Sequence, residues 1–430
     1  MIFTTTTNDN FEAEFEELLQ RGKMDIDKVT SIVQNIINEI KIDKNSALKK
    51  HISSFDNWSP IDDKDLKISV ESMEKAYNNI DAKLKDALHL AYNRIKNYHQ
   101  KQLPKSWFDT EENGTMLGQK VTAVDSAGLY IPGGKAAYPS SLLMNVIPAQ
   151  VAGVQNIVVC TPTPDNEPNE LLLAACHLCG VTQVYKVGGA SAIAAMAYGT
   201  QTIPKVDVIT GPGNIFVATA KKMVFGEVQI DMIAGPSEIG ILADDSANTN
   251  HIAIDLLSQA EHDEMASSIL ITSSQKIADE VKIELENWLV KLPRQEIARK
   301  SIEERGAIIV TKDMEEAVKL MNDIAPEHLE VMTESPFDLL PSIKHAGAIF
   351  LGKNTPEAIG DYVAGPNHTL PTGGTAKFYS PLGVEIFMKK SSIISFSEQA
   401  INEIGEACAL IANTEGLTAH EQSVRVRLKK

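Results

Sequence analysis

Two short segments carry side chains of the kind that bind metal ions or move protons. In the first, Gln259 and His262 are three residues apart. On a helix they would share one face, so both could hold one ion. In the second, Glu327 stands beside His328 just after a proline. A carboxyl group next to an imidazole suits proton transfer in an oxidation or a hydrolysis. Each segment alone is more typical of an ordinary polar helix end than of a functional site.

A metal site at Gln259 and His262 would need further ligands from distant parts of the chain. Asp361, His368 and His420 are the candidates. Cys176 and Cys179 have the C-x-x-C spacing of a zinc motif, but no second pair completes a tetrahedral site. Because they lie in an apolar helical stretch, we expect them to be packing residues.

Glycine-rich segments at 130–134, 188–189 and 211–214 stand at predicted strand-to-helix junctions. Glycines there let a phosphate approach the backbone, and a helix N-terminus favours an anion. No complete G-x-G-x-x-G is present, so tight turns are as good an explanation as a nucleotide site. The segment 230–238 joins two modules and is either a hinge or the carrier of a substrate-facing Ser237.

The elements that position these side chains follow from the hydrophobic pattern. Periodic apolar residues predict helices within residues 1–100, and Glu398 begins a mostly helical tail. Between them, short β-branched runs alternate with helical stretches, which predicts βαβ units and parallel sheets. The predicted strands are 156–161, 183–187 and 206–210 in one module, and 239–243, 268–271, 307–310 and 348–351 in another.

Composition narrows the class of protein. The 430 residues include 40 Lys+Arg against 57 Asp+Glu, a net charge of −17, which argues against nucleic acid as a partner. No apolar run is long enough to cross a membrane, and residues 1–17 lack the features of a signal peptide. With only four cysteines, we expect a cytoplasmic protein.

Taken together, these segments resemble the histidinol dehydrogenase family. The resemblance rests on eight segments that stand in the family's order. They are 128–134, 138–145, 211–214, 234–238, 259–262, 326–329, 365–368 and 415–420.

The resemblance implies a fold of two parallel-sheet, incomplete Rossmann-like modules with helical N-terminal and C-terminal extensions. The implied division is an N-terminal arm (1–22), a metal and substrate domain (23–127 with 238–381), an NAD-binding domain (128–237) and a C-terminal helical tail (382–430).

The resemblance also implies a role for each matching residue. Glu327 and His328 would be the proton-transfer pair. Zinc would be held by Gln259, His262, Asp361 and His420; L-histidinol would contact Ser237, Gln259, His262, His328, Asp361, Glu415 and His420; and NAD would contact Tyr130, Ser191 and Asn214. Ser191 replaces the family's glutamine, and a hydroxyl reaches less far than an amide.

The implied reaction is the last step of histidine biosynthesis. L-histidinol is oxidised through L-histidinaldehyde to L-histidine, and two NAD are reduced. The family also implies a homodimer in which Glu415 and His420 complete the partner's active site.

Two alternatives compete with this interpretation. One is a thioester mechanism with Cys160 as the nucleophile, although no activating base is adjacent in sequence. The other is a nucleotide- or metal-binding module without catalytic activity. The Glu327–His328 pair argues against it.

Overall fold

The computed structural model describes residues 1–20, 26–133 and 138–429. Gly134 and the predicted boundary between residues 22 and 23 lie outside the described residues. The strands are β1 (Ile2–Thr5), β2 (Lys67–Ile68), β3 (Trp107–Thr110), β4 (Met116–Ala123), β5 (Ser126–Tyr130), β6 (Asn156–Thr161), β7 (Gln183–Lys186), β8 (Val208–Thr210), β9 (Gln229–Ile230), β10 (Glu238–Ala243), β11 (Ser267–Thr272), β12 (Ala307–Val310), β13 (His328–Met332), β14 (Ala348–Leu351) and β15 (Met388–Ser395).

Helices fill most of the sequence between the strands. They are α1 (Phe11–Gln20), α2 (Asp27–Asp43), α3 (Asn45–Phe55), α4 (Val70–Asn79), α5 (Ala82–Gln100), α6 (Pro139–Ala152), α7 (Glu170–Leu178), α8 (Gly189–Tyr198), α9 (Ile215–Val224), α10 (Thr249–Ala260), α11 (Gln275–Leu289), α12 (Gln295–Arg305), α13 (Met314–Ile324), α14 (Pro336–Leu339), α15 (Glu357–Ile359), α16 (Glu398–Thr414) and α17 (Thr418–Arg425). Among the described residues, none of these helices combines the length and apolar character needed to cross a bilayer.

The chain forms two compact units. The first consists of Met1–Gln102 and Asp125–Phe387, and the second of Leu103–Val124 and Met388–Lys430. The second unit contains the three-stranded antiparallel sheet β15-β4-β3 together with α16 and α17.

The first unit contains two six-stranded sheets. Sheet A has the order β1-β12-β11-β10-β13-β14, and all its strands are parallel. Its central strands β10 and β11 are buried along their whole length, and β10 is apolar after Glu238. Sheet B has the order β2-β7-β6-β5-β8-β9 and is parallel except for β2 at its edge.

The predicted fold class of two parallel-sheet modules is confirmed, and several predicted elements match the structure residue for residue. Three differences concern boundaries. Strand β1 lies in the predicted arm but pairs with β12 of sheet A. Strand β2 lies in the predicted metal domain but pairs with β7 of sheet B. The C-terminal segment is not wholly helical, because β15 pairs with β4 along eight residues before α16 begins.

The chain connects particular edges of the two sheets. Strand β9 ends sheet B at Ile230, and β10 of sheet A begins at Glu238. Residues 231–237 therefore run from the carboxyl edge of sheet B to the amino edge of sheet A. The glycine-rich loops after β5, β7 and β8 lie at that carboxyl edge. Glu238 and His328 lie at the amino edge.

Candidate active site

The candidate site begins at two neighbouring strands of sheet A. Strands β10 and β13 pair in parallel, with Ile239 opposite His328. This register places Glu238, Glu327 and His328 together, all buried. The sequence pattern suggested a helix end followed by an exposed pair as the simplest alternative for Glu327 and His328. That alternative is wrong, because the helix ends at Ile324 and a buried strand starts at His328.

The imidazole of His328 is surrounded by carboxyl groups. Its Nδ1 lies 3.1 Å from the backbone oxygen of Glu238 and 3.6 Å from Oε1 of Glu357. The same nitrogen is 3.8 Å from Oε2 of Glu327. Its Nε2 lies 3.5 Å from Oδ1 of Asp361 and has no partner in hydrogen-bond geometry among the described residues.

Burial and mutual repulsion shift the titration of this cluster. Burial raises the pKa of Glu327 to about 7. Burial also raises the pKa of Glu238 and of Glu357 to about 8 each. Burial alone would lower the pKa of His328, but the charges of Glu357, Glu327 and Asp361 outweigh it and hold that pKa well above its usual value.

Gln259 connects helix α10 to the same cluster. Its amide is fully buried. In one orientation of the amide, both its nitrogen and its oxygen have hydrogen-bond partners. The nitrogen then donates to Oε1 of Glu357 at 2.5 Å, and the oxygen accepts from the backbone N–H of Glu238 at 2.8 Å. The backbone N–H of Glu357 in turn donates to Oε1 of Glu330 at 2.7 Å. Hydrogen bonds therefore fix the orientation of the Gln259 amide.

Nitrogen and oxygen atoms suited to a cation meet at this point. One ligand atom from each of His328, Glu357 and Asp361 lies within 4.8 Å of the others. Asp361 is carried by a π-helical turn (Gly360–Ala364) after α15. His262, in the turn after α10, is exposed and interacts electrostatically with Asp361. Of the predicted zinc ligands, Gln259, His262 and Asp361 thus belong to one neighbourhood of the first unit.

The other predicted residues occupy several places. Ser237 hydrogen-bonds through its side chain to Glu327. His368 lies 3.4 Å from the hydroxyl of Ser141. Glu415 and His420 are exposed residues of the second unit, at the end of α16 and in α17.

A cavity of about 920 Å³ opens beside this cluster. His328, Asp361 and His368 line it, together with Tyr98 and Asp231. A cavity of this volume accommodates a small polar ligand.

The predicted cofactor residues make internal hydrogen bonds at the carboxyl edge of sheet B. The buried Tyr130 hydroxyl accepts from the backbone N–H of Gly189 at 3.2 Å. The Asn214 side chain caps α9 by accepting from the N–H groups of Phe216 and Val217. The hydroxyl of Ser191 lies 2.8 Å from Nδ1 of His51.

The three cysteines considered in the sequence are buried free thiols. Cys176 and Cys179 are packing residues, as predicted. Burial raises the pKa of the Cys160 thiol. A thioester mechanism therefore lacks an accessible thiolate at Cys160.

Several residues of the site were not singled out from the sequence. Glu238, Glu330 and Glu357 are buried. The sequence does mark two of them, because Glu238 begins a strand that is otherwise apolar and Glu330 lies between apolar residues of another. A carboxyl group in such a strand has to be paired or protonated.

Comparison with known proteins identifies the family. The family model for histidinol dehydrogenase matches residues 19–428. The chain belongs to the histidinol dehydrogenase family. It is similar to the histidinol dehydrogenase of Sulfurimonas denitrificans, at 79% identity over 430 residues covering 100% of both chains. It is 67% identical to that of Wolinella succinogenes over 418 residues, covering 97% of each.

A solved structure agrees with the fold. The crystal structure of histidinol dehydrogenase from Elizabethkingia anophelis matches with a TM-score of 0.93 and 35% identity, covering 99% of this chain and 98% of that one. The predicted family and fold class are therefore confirmed. As a histidinol dehydrogenase family member, the chain is an NAD-dependent oxidoreductase.

Proposed function

We propose that this protein oxidises L-histidinol through L-histidinaldehyde to L-histidine, with two NAD reduced, as the last step of histidine biosynthesis. The observation that carries the proposal is the buried Glu327–His328 pair, at the amino edge of sheet A, with His328 and Asp361 facing the cavity. An alcohol oxidation followed by an aldehyde oxidation needs a base for each substrate proton and a group that activates water.

Zinc fits the donor atoms of this cluster. His328 Nε2 and Glu357 Oε2 are buried without hydrogen-bond partners among the described residues, and the surrounding acids leave negative charge that a cation would neutralise. We propose that Gln259, His262, Asp361 and His420 hold the ion. When bound, zinc supplies a template for the substrate's imidazole and amine.

NAD fits the carboxyl edge of sheet B. A side-chain carbon added at Gly189 would meet nothing within 4 Å, so the space before the N-terminus of α8 is open to a phosphate. We propose that Tyr130, Ser191 and Asn214 line this cofactor site. When bound, NAD accepts a hydride in each of the two oxidations.

The first oxidation needs one base. We propose that His328, in its neutral form, takes the hydroxyl proton of the alcohol as the C–H electron pair leaves as hydride, which yields the aldehyde. Ser237, Glu415 and the zinc-binding side chains hold the substrate in place. Asp361 and Glu357 stabilise the imidazolium that forms, because their carboxyl groups lie within 3.6 Å of the ring nitrogens.

The second oxidation needs water. Glu327 accepts a proton from water as the oxygen adds to the aldehyde carbon. The imidazolium of His328 returns its proton to the former carbonyl oxygen, which gives the hydrate and leaves His328 neutral. His328 then takes a proton from the hydrate as the second hydride leaves, and the carboxylic acid is formed. The raised pKa of Glu327, about 7, makes it a stronger base than an ordinary carboxylate.

The proposed reaction is tested by its stoichiometry. With purified protein, L-histidinol and excess NAD, we expect about two NADH per histidinol, since two hydrides leave each substrate molecule. A chelator should abolish the reaction and added zinc should restore it. One NADH per histidinol, or full turnover after complete metal removal, would contradict the proposal.

The role of Glu327 predicts a pH dependence. Only the deprotonated carboxylate accepts a proton, so Glu327 should contribute to kcat/KM for histidinaldehyde a limb that rises with pH through about 7. Glu327→Gln should lower the rate of aldehyde oxidation by about 10²- to 10⁴-fold and remove this limb. Oxidation of histidinol to the aldehyde should fall much less.

The matched control is Glu334→Gln, an exposed residue two positions beyond the end of the strand that His328 begins. It should keep the wild-type profile. Unchanged aldehyde oxidation by Glu327→Gln would rule out Glu327 as the group that activates water.

We further propose a homodimer with shared active sites. Large apolar side chains of the second unit are exposed, among them Leu410 (62%), Ile411 (61%) and Val426 (75%). Exposed apolar side chains in this number are typical of a surface that a second copy covers. In such a dimer, Glu415 and His420 would complete the partner's site.

Complementation between two inactive variants tests shared sites. Glu327→Gln and His420→Ala should each make little histidine alone. Co-expressed, random pairing would put one intact site in half of the dimers, so histidine formation should recover to about a quarter of wild type. No recovery, with mixed dimers verified by mass, would contradict sharing.

We also propose that the enzyme works in the cytoplasm. All four cysteines are free thiols, which fits a reducing compartment.

A further inference from the structure

A buried ion pair lies under the loop at 211–214. Lys221, in α9, and Asp231, just after β9, have side chains that are 3% and 0% exposed and are paired with each other. We call these two residues the Lys221–Asp231 pair. Burying two charges costs about as much as their attraction returns, so stability alone does not explain the pair.

The pair holds both polar groups of Gly211. The backbone N–H of Gly211 donates to Oδ2 of Asp231 at 2.9 Å. Lys221 Nζ donates to the backbone oxygen of Gly211 at 3.0 Å. Oδ1 of Asp231 also accepts from the N–H of Met232 at 2.7 Å. Because the buried ion pair binds both the N–H and the carbonyl oxygen of Gly211, the backbone of Gly211 cannot rotate freely.

Gly211 has a backbone conformation that needs such support. Its φ is +120°, and a side-chain carbon there would lie 2.0 Å from the backbone oxygen of Tyr130. The loop runs from Gly211 to Asn214, the N-cap of α9. The position of this helix start relative to Tyr130 therefore depends on how Gly211 is held.

We propose that Lys221 and Asp231 are positioning residues for the dinucleotide: they hold the 211–214 loop in its binding shape before NAD arrives. The proposal rests on the cofactor site described under Proposed function. A loop fixed in advance loses little conformational freedom on binding, which strengthens binding without any added contact to the ligand. Asp231 is also the first residue of the segment 231–237, which leads to Glu238 in the proton-transfer cluster. The pair therefore ties the 211–214 loop to the start of that segment.

The decisive variant is the double substitution Lys221→Met with Asp231→Leu. It removes both charges and leaves no unpaired ion, so the protein should still fold. The melting temperature should fall, because the Gly211 N–H, the Gly211 carbonyl and the Met232 N–H lose these partners. We expect the KM for NAD to rise about 10- to 100-fold, the effect of a misplacement of about an ångström. The zinc content should stay at the wild-type value, because neither substituted residue is a proposed zinc ligand.

Matched controls separate positioning from charge or stability. Lys205→Met breaks an exposed ion pair with Glu227 outside the loop and should leave the KM for NAD unchanged. Lys221→Met with Asp231→Asn keeps an acceptor for the Gly211 N–H, and it should bind NAD better than the Leu variant. A folded Lys221→Met, Asp231→Leu enzyme with the wild-type KM for NAD would overturn the proposal.

Amide hydrogen exchange of the unsubstituted protein gives a second test, which decides if the double variant does not fold. The Gly211 amide should be protected without NAD, and NAD should change its exchange little. Exchange as fast as in an exposed loop, slowed only by NAD, would overturn the proposal. A wild-type protein that reduces no NAD would instead refute the cofactor site itself, so the two failures are distinguishable.

Discussion

The structure depends on one electrostatic constraint: a buried histidine surrounded by carboxyl groups. His328 has Glu327, Glu357 and Asp361 within 3.8 Å of its ring nitrogens, and Glu238 is buried beside Glu327. Several carboxyl groups can be buried together only if some are protonated and the others are paired with a cation, because buried negative charges repel one another. Burial in the same site raises the pKa of Glu327 to about 7, and the clustered acids leave negative charge that the proposed zinc would neutralise.

The chain connects this cluster directly to the edge of sheet B where we propose that the cofactor binds. Sheet B presents its glycine-rich loops at its carboxyl edge, whereas sheet A presents Glu238 and His328 at its amino edge. Residues 231–237 join these edges directly. Each oxidation removes a hydride and a proton from the same substrate molecule. The proposed NAD site at the carboxyl edge of sheet B would take the hydride, and His328 at the amino edge of sheet A would take the proton.

Much of the fold could be predicted from periodicity, because strands such as β6 and helices such as α13 are apolar in a regular pattern with clear ends. Strand β13 could not be predicted from the pattern, because Pro326, Glu327 and His328 are not typical of the start of a buried strand. Its pairing with β10 is also a long-range contact. Glu357 could not be found for a similar reason: its role comes from distant partners, Gln259 and His328. Spacing predicted that Gln259 and His262 could hold one ion, whereas the complete zinc-ligand set with Asp361 and His420 came from the family resemblance.

The most direct test of the central constraint is a calorimetric titration of metal-stripped protein with zinc. The wild-type protein should bind about one ion per chain, and Asp361→Asn should bind it at least about tenfold more weakly, since a charged ligand is lost. Asp338→Asn, an exposed acid on α14, should bind like wild type. A wild-type protein that takes up no ion, or an Asp361→Asn protein of undiminished affinity, would contradict the account.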